Sequence, residues 1–376
     1  MTVPPLPPPV LIQDPDALRR MVTALAAEKR IAVDTESNSL HAYRERVCLI
    51  QFSTPESDYL VDPLALSDLA PLGPIFSDPG VEKVFHAAEY DLICLRRDFD
   101  FQVGRLFDTR VACRTLGQAQ AGLGDLLSET FDVHLNKRFQ RANWGQRPLT
   151  PDLLDYARLD THFLLPLRDR LAEALQAAGR WEEATEECER LTHLEAHENG
   201  FDPEGFWHIT NARHLTPEQA GALRQLYLLR EDQASRADRP PFKIMGDKTL
   251  LAIAQVLPSS EEDLQIIPGM TAGQIRRYGR GLLTAVARGR PEPRPRRPSR
   301  DKVDETVLAR HEALRDWRKK AAAARLVESD VILPREVLWE IARTAPRNGD
   351  ELQAVMAPLH WRFRTYGQDI LRVLWG

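Results

Sequence analysis

An internal repeat limits the fold of the C-terminal half of this chain more than any other feature of the sequence. Displacing the sequence by 88 residues aligns one segment with another without a gap. The matched pairs include Leu226 and Leu314, Ile244 and Ile332, Leu250 and Leu338, and Tyr278 and Tyr366. So many matches in a single register are typical of a duplicated structural unit. Both segments look helical, so we predict two copies of one small all-α domain, at 207–290 and 303–376.

Two further segments are rich in proline. The N-terminal sequence MTVPPLPPPVLI predicts a proline-rich segment over 1–19. It contains no basic stretch and no long apolar stretch, which argues against a secretion signal. The sequence RGRPEPRPRRPSR predicts an extended linker over 291–302, between the two helical copies.

Composition and cysteine content indicate a cytoplasmic protein of more than one domain. The chain has 376 residues, of which 43% are hydrophobic and 28% are charged, and this length suggests two or three domains. The sequence has no apolar run long enough to span a membrane. Its four cysteines lie far apart without a CxxC pair, which argues against a disulfide framework or a zinc ribbon. We therefore expect a reducing compartment and no membrane contact.

The formal net charge of −5 conceals a strong asymmetry. Residues 271–376 contain 22 Lys and Arg against 13 Asp and Glu, so the rest of the chain is acidic. A basic C-terminal region is typical of chains that bind a polyanion such as a nucleic acid. Charge alone fits a solvated surface equally well, so it does not choose between these two interpretations.

The N-terminal half alternates short strands with helices. Apolar and β-branched runs predict five strands, at 31–36, 47–53, 58–63, 83–86 and 105–109. A long helix follows, with Thr150 as N-cap and Pro151 at its first position, and it is expected to end near Gly179. Strands with helices mixed among them predict an α/β domain over 20–195.

Two acidic residues stand on the first predicted strand. Asp34 and Glu36 are two residues apart, so their side chains leave the same face of the strand. Buried carboxylates destabilise a fold unless another group neutralises them. An isolated pair of this kind is also typical of a strand that leaves the core for solvent. Further acidic residues on later elements favour the interpretation that this pair belongs to a functional site.

Two more carboxylates and a tyrosine complete this set. Asp91 lies in the first turn of the helix after the fourth strand. Asp160 follows Tyr156 by four residues, which places the two side chains next to each other on the long helix. Four carboxylates around one point repel each other and raise each other's pKa. Mg²⁺ or Mn²⁺ relieves this repulsion through oxygen ligands, and two such ions can hold the attacking and leaving oxygens of a phosphodiester.

Three motifs around these residues resemble those of the DEDD exonuclease superfamily. They are DTE at 34–36, FHAAEYD ending at Asp91, and YARLD at 156–160. The tyrosine of the third motif is typical of the DEDDy branch. The segment LNKRFQRANWGQRPLTPDLLDYARLD further resembles the ribonuclease D family. The two helical copies resemble HRDC domains, which that family shares with RecQ helicases.

This resemblance implies a ribonuclease H-like fold for the first domain and 3′–5′ hydrolysis of RNA to nucleoside 5′-monophosphates. It implies two divalent ions, Mg²⁺ or Mn²⁺, whose ligands would be Asp34, Glu36, Asp91 and Asp160. Tyr156 would orient the attacking water, because a tyrosine with an ordinary pKa near 10 is a poor base at neutral pH. The implied substrates are the 3′ ends of structured RNAs such as tRNA precursors, cut by a monomeric enzyme.

Basic and aromatic residues elsewhere predict contacts with the substrate. The stretch from Lys137 to Arg141 is basic and has Trp144 nearby, a combination that can bind phosphates and stack on a base. The polar hairpin after the first strand and the surface of the first helical copy add further positions, although each also fits a solvated surface. The predicted contacts are His41, Arg44, Lys137, Gln140, Arg141, Trp144, Lys243 and Arg276.

Two other functions are compatible with the sequence. No residue pattern here reads the 2′-hydroxyl that distinguishes RNA from DNA, so a 3′–5′ exonuclease acting on DNA is one alternative. A nucleic-acid-binding module with an inactive nuclease centre is the other. The presence of all four acidic residues together with Tyr156 favours an active enzyme.

Overall fold

The described residues of the computed structural model form two compact units. The described residues are 7–195, 200–291, 293, 295–296 and 304–376. The first unit combines the residues up to 37, those from 47 to 195 and those from 304 onward, and the second combines 38–46 with the described residues from 200 to 296. The start of the predicted proline-rich segment 1–19 and most of the predicted linker 291–302 lie outside the described residues.

A six-stranded mixed sheet forms the centre of the first unit. Its strands are β1 (Val10–Ile12), β2 (Arg30–Ser37), β3 (Val47–Ser53), β4 (Asp58–Val61), β5 (Glu82–Phe85) and β6 (Arg105–Asp108). The strand order is β1-β4-β3-β2-β5-β6, with β2 antiparallel to β3 and parallel to β5. β3 is buried along its whole length, which explains its largely apolar sequence. The acidic residues of β2 therefore stand in the middle of the sheet.

The sequence does not predict β1. This strand lies within the segment 1–19 and pairs in parallel with β4. Three residues are too few to show the alternation that identifies a strand from sequence. Ile12 nevertheless is 2% exposed and belongs to the hydrophobic core beneath the sheet. The α/β domain therefore begins before residue 20.

Helices surround the sheet. In chain order they are α1 (Pro15–Ala26), α2 (Gly73–Ser77), α3 (Glu89–Phe99), α4 (Thr109–Leu116), α5 (Leu123–Phe131), α6 (Pro151–His162), α7 (Leu164–Ala177) and α8 (Trp181–Thr192). Short 3₁₀ helices occupy Ala70–Leu72 and Lys137–Arg141. All four cysteines are buried thiols, and none of them forms a disulfide.

The prediction of one continuous helix from Thr150 to Gly179 is wrong. Thr150 does cap α6, since its side chain accepts from the Leu153 amide, and Pro151 follows at the first position. The helix is interrupted at Phe163, and α7 begins at the next residue. Pro166 explains the break, because a proline lacks the amide hydrogen and clashes with the carbonyl four residues earlier.

The first helical repeat forms the second unit together with the loop 38–46. Its helices are α9 (Pro217–Arg236), α10 (Pro241–Ile244), α11 (Asp247–Val256), α12 (Glu261–Gln265) and α13 (Ala272–Gly289). Two 3₁₀ helices, Gly205–His208 and Ala212–His214, precede them. The loop packs on α9, because the Tyr43 amide donates to Asp238 Oδ1 at 3.1 Å and the Tyr43 hydroxyl donates to Glu231.

The second helical repeat belongs to the first unit. Its helices are α14 (Glu305–Arg325), α15 (Ser329–Ile332), α16 (Arg335–Thr344), α17 (Gly349–Met356) and α18 (His360–Trp375). Several apolar positions that align at the 88-residue displacement are buried in both repeats. Leu226 and Leu314 are both 0% exposed, and so are Ile253 and Ile341. The duplicated sequence thus builds two equivalent hydrophobic cores.

An acidic face of α8 joins the second repeat to the α/β domain. The Arg362 side chain is 1% exposed and lies 2.8 Å from Glu186, which is itself 7% exposed. Arg325 pairs with the fully buried Glu183 at 2.6 Å. The backbones also approach closely, because a Cβ on Gly117 would lie 2.4 Å from the Leu326 carbonyl oxygen. This docking therefore requires glycine at position 117.

None of the helices in the described residues has the combination of length and apolar character that crossing a lipid bilayer requires.

Candidate active site

The end of β2 presents the first two carboxylates. Asp34 and Glu36 alternate with Thr35 along the strand, and a β-bulge between Glu36 and Ser37 then interrupts the pairing with β3. Bulges bend a strand and frequently lie beside functional sites. The side chains of Asp34 and Glu36 line one cavity of about 480 Å³.

Two helices bring the remaining acidic residues to the same place. Asp91 stands in the first turn of α3 and is 6% exposed. The Thr35 hydroxyl donates a hydrogen bond to its carboxylate. Tyr156 and Asp160 lie one turn apart on α6, and both line the cavity. Residues that are distant in sequence therefore meet at the end of β2, as their positions on successive elements predict.

Burial and neighbouring carboxylates raise the pKa of all four acids. Burial and the neighbouring acids hold the pKa values of Asp34 and Glu36 well above their usual range. Burial raises the pKa of Asp91 to about 7 and that of Asp160 to about 8. Among the residues that the structure describes, no Lys, Arg or His forms an ion pair with any of the four. The negative charge of this cluster is therefore unbalanced by the protein itself.

This donor set fits hard divalent cations. Carboxylate oxygens are the ligands that Mg²⁺ and Mn²⁺ prefer, and nearby cations favour the ionised form of an acid. Within the described part of the chain, no three His, Cys, Asp or Glu side chains are arranged as a ready-made ion site. Instead, hydroxyl groups hold two of the acids, since Thr35 donates to Asp91 and Tyr156 bonds to Asp160.

Tyr156 is positioned by packing as well as by its hydrogen bond. Its ring lies 5.6 Å from that of Phe139 and 6.2 Å from that of Trp144, measured between centroids. Burial and the charge of Asp160 raise the pKa of the Tyr156 hydroxyl above its usual value. This hydroxyl therefore keeps its proton at neutral pH and acts as a hydrogen-bond donor.

The burial of Trp144 corrects one predicted substrate contact. The side chain is 1% exposed and belongs to a small core that includes Tyr156. A base has no free face of this indole to stack on, because the ring packs against Tyr156 instead. Trp144 supports the active-site tyrosine rather than the substrate.

Other predicted contacts lie in different places. Lys137 and Gln140 line the same cavity as the carboxylates, whereas Arg141 is exposed outside its lining. His41 and Lys243 lie together in the second unit, with their nitrogens 3.3 Å apart. Arg44 and Arg276 belong to that unit too and are exposed. Substrate contact by these residues stays a prediction.

Asp108 organises the site although the sequence analysis does not select it. Its buried carboxylate accepts from the amides of Ala87 and Ala88 at 3.1 and 2.7 Å, just before α3. It also accepts from the amides of Arg110 and Val111 at 2.7 and 3.1 Å, at the start of α4. Asp108 therefore fixes the entry to the helix that carries Asp91. An Asp-Thr pair between a strand and a helix is the available signal, since aspartate is a favoured N-cap.

Comparison with known proteins identifies the family of this chain. Residues 9–176 match a 3′–5′ exonuclease family model. Residues 219–286 and 307–374 each match the HRDC domain. Ribonuclease D of Gluconacetobacter diazotrophicus is 32% identical over 302 residues, which are 80% of this chain and 76% of the relative. The chain belongs to the ribonuclease D family.

A solved structure of the same family extends over nearly the whole chain. Escherichia coli RNase D, described as an exoribonuclease involved in structured RNA processing, is 25% identical with a TM-score of 0.69. The match covers 97% of this chain and 98% of that one. The α/β nuclease fold followed by two helical HRDC domains is thereby confirmed, as is the resemblance to ribonuclease D.

The 3′–5′ exonuclease domain also occurs in longer proteins. Protein RRP6-like 3 of Arabidopsis thaliana is 44% identical over 168 residues, which are 44% of this chain. The match spans only 19% of that relative. Enzymes with this domain generally depend on divalent metal ions.

Proposed function

We propose that this chain is a 3′–5′ exoribonuclease that trims the 3′ ends of structured RNAs, such as tRNA precursors, to nucleoside 5′-monophosphates. The observation that carries the proposal is one cavity in which Asp34, Glu36 and Asp160 lie beside Tyr156, with Asp91 bonded to the adjacent Thr35. It is supported by family membership and by the RNA substrates named for the E. coli relative. The predicted monomeric state and cytoplasmic location belong to the same proposal.

The proposal assigns a pair of divalent ions to this cluster. Asp34, Glu36, Asp91 and Asp160 would hold Mg²⁺ or Mn²⁺, since their charge is unbalanced by cationic side chains in the described part of the chain. When bound, such ions lower the pKa of water and stabilise the developing charge on phosphate oxygens.

Residues of the protein position the attacking water and line the cavity for the terminal nucleotide. Tyr156 keeps its proton and donates it in a hydrogen bond to Asp160, so its hydroxyl oxygen would accept a hydrogen bond from the attacking water and orient it toward the terminal phosphodiester. Phe139 and Trp144 hold the Tyr156 ring in place by packing. Lys137 and Gln140 line the same cavity as the carboxylates and would contact the phosphate and sugar of the terminal nucleotide.

A single assay tests the proposed reaction. A 3′-extended tRNA is incubated with the protein in Mg²⁺, in Mn²⁺ or in EDTA, and released nucleotides are identified by chromatography. We expect nucleoside 5′-monophosphates in the presence of metal and none in EDTA. A DNA 3′ end of matched sequence serves as the comparison, and preferential cleavage of that DNA would reject the ribonuclease assignment.

Asp91→Asn tests the carboxylate cluster itself. The variant removes one charge and one oxygen ligand, so we expect turnover to be lost while RNA binding persists. Activity is measured by nucleotide release and binding by gel shift. The matched control is Asp369→Asn, an exposed residue of α18. Wild-type activity of Asp91→Asn would remove the proposed metal cluster.

A further inference from the structure

Three cavities of the first unit adjoin one another. The active-site cavity shares Ala87 and Arg110 with a cleft of about 580 Å³. The α/β domain and the second helical repeat both line this cleft, since Arg190 belongs to one and Arg335 to the other. Arg335 and Glu336 also line a third cavity, of about 590 Å³, on the repeat itself. Shared residues therefore connect the cavity that holds Asp34, Glu36 and Asp160 to the surface of the second repeat.

Two arginines of the cleft differ from the other three. Arg114, Arg190 and Arg362 each pair with carboxylates at 2.9 Å or less. Arg110 and Arg335 are exposed, and in the described ranges neither side chain forms an ion pair or a hydrogen bond. An exposed guanidinium without an internal partner is well suited to bind a phosphate, which it can contact through two hydrogen bonds. These two residues mark the junctions at which successive cavities meet.

Arg110 is held at a defined position. It stands in the first turn of α4, and its amide donates to the buried Asp108 carboxylate at 2.7 Å. The same carboxylate orders Ala87, which has a φ of 62° and forms the other shared wall. The passage between the active site and the cleft is therefore built on a rigid support.

The third cavity contains an aromatic platform. The Trp339 side chain is only partly buried and lies outside the hydrophobic core of the repeat. Its ring stacks on His311 with centroids 3.6 Å apart and planes inclined by 18°. Arg343 lies over the same ring at 5.6 Å. Aromatic rings with basic neighbours are typical of surfaces that bind single-stranded nucleic acid.

We propose that the single-stranded 3′ segment of an RNA follows these cavities. The terminal nucleotide would lie at the carboxylates, and the nucleotides upstream would pass Arg110, cross the cleft to Arg335 and reach Trp339. This inference rests on the proposed exoribonuclease function and names the path of its substrate. The second repeat thereby contributes a binding surface for the strand being shortened.

Binding without turnover tests the path. Fluorescence anisotropy in EDTA measures the affinity for a labelled single-stranded RNA of about ten nucleotides, a length within the range of strand-binding sites. We expect Trp339→Ala and the double variant Arg110→Gln/Arg335→Gln each to bind about tenfold more weakly than the wild type. Trp339→Phe keeps an aromatic face and should restore most of the affinity. Arg372→Gln, an exposed arginine of the same repeat outside these cavities, is the matched control.

Comparing a long RNA with a dinucleotide distinguishes a lost binding path from a folding defect. The loss of affinity in the Trp339→Ala protein should be larger for the long RNA than for a dinucleotide. Wild-type affinity of Trp339→Ala and of the double arginine variant for the long RNA would overturn the path. Equal losses for both lengths would overturn it as well. A wild-type protein that binds the long RNA in EDTA but releases no nucleotide with metal would instead contradict the proposed function.

Discussion

At the scale of single residues, the active site concentrates negative charge that the described protein does not neutralise. Asp91 and Asp160 are each 6% exposed, and hydroxyl groups rather than cations contact them. Buried charges without partners destabilise a fold. A bound cation would supply the charge that balances these buried carboxylates. The folded protein should therefore be more stable with metal than without it.

The hydroxyl of Tyr156 should contribute to the rate and not to the fold. We expect Tyr156→Phe to slow nucleotide release by one to three decades, in line with the contributions of about 10²- to 10⁴-fold that positioned proton-handling groups make. The phenyl ring keeps its packing against Phe139 and Trp144, so the melting temperature should change little. Single-turnover kinetics measures the rate, and an unchanged rate would reduce Tyr156 to a core aromatic.

The raised pKa values predict how pH affects the metal-free protein. The carboxyl groups of Asp91 and Asp160 have folded pKa values of about 7 and about 8, above the ordinary value of 3.8. Between the ordinary pKa and the folded pKa values, the folded state therefore binds more protons than the unfolded state. Stability contributed by these groups is present at low pH and lost as the pH rises through the folded pKa values.

Thermal unfolding in EDTA between about pH 5 and pH 8.5 measures this effect. The melting temperature of the wild type should fall relative to that of Asp160→Asn as the pH rises, and Mn²⁺ should remove the difference. Parallel profiles for the two proteins would contradict the raised pKa values.

Spacing in the sequence predicts which acids share a face with each other or with the tyrosine, and the resemblance of the three motifs to the exonuclease superfamily adds Asp91. Asp34 and Glu36 share a strand face, and Tyr156 and Asp160 share a helix face, so local periodicity predicts both pairs. Arg110 and the burial of Trp144 depend on contacts between distant segments. No local pattern reports such contacts, which is why the sequence predicts neither.

At the scale of secondary structure elements, the two helical repeats differ in how one helix begins. Thr271 and Gln274 form a capping box at the start of α13 in the first repeat. The aligned positions in the second repeat are Leu359 and Arg362, which provide no such cap. Glu186 of α8 takes over this role, because its carboxylate accepts from the amides of Trp361 and Arg362.

Arg362→Met should be strongly destabilising for this reason. The variant leaves Glu186 buried without its cationic partner, and breaking a buried pair in this way costs about 3–5 kcal/mol. Chemical denaturation measures the free energy of unfolding. The double variant Arg362→Met/Glu186→Met removes both charges and should recover part of the loss. Equal stability of Arg362→Met and wild type would show that the pair is not buried in solution.

The sequence predicts elements well where their signals are local. Five of the six strands follow from apolar runs, and Thr150-Pro151 predicts the start of α6. The three-residue β1 is too short for such a signal. The break between α6 and α7 is signalled by Pro166, a residue that the apolar pattern of the long helix obscures.

At the scale of the whole molecule, the charge asymmetry has a partly internal explanation. The acidic face of α8 pairs with arginines of the second repeat, through Arg325, Arg362 and Arg364. Sequence analysis leaves nucleic acid and solvent as the two interpretations of this basic region. The structure adds docking within the chain, which composition alone does not reveal because both partners lie on one polypeptide.

Deleting 303–376 should therefore affect the catalytic domain directly. The truncated protein loses the ion pairs of α8, the contact at Gly117 and the proposed path residues Arg335 and Trp339. We therefore expect a lower melting temperature, reduced hydrolysis of short RNA and a larger reduction for long RNA. Differential scanning fluorimetry and nucleotide release measure the two effects. The point variant Arg372→Gln is the comparison protein. An unchanged melting temperature would show that the docked repeat adds no stability.

The borrowed cap on α18 has a consequence for domain shuffling. The first repeat carries its own capping residues and is a portable module that can be transferred to another protein. In the second repeat, the carboxylate that caps α18 is Glu186 of α8, which belongs to the α/β domain. Recombination that separates it from α8 would leave the helix start unsatisfied, so the two are expected to be inherited as one piece.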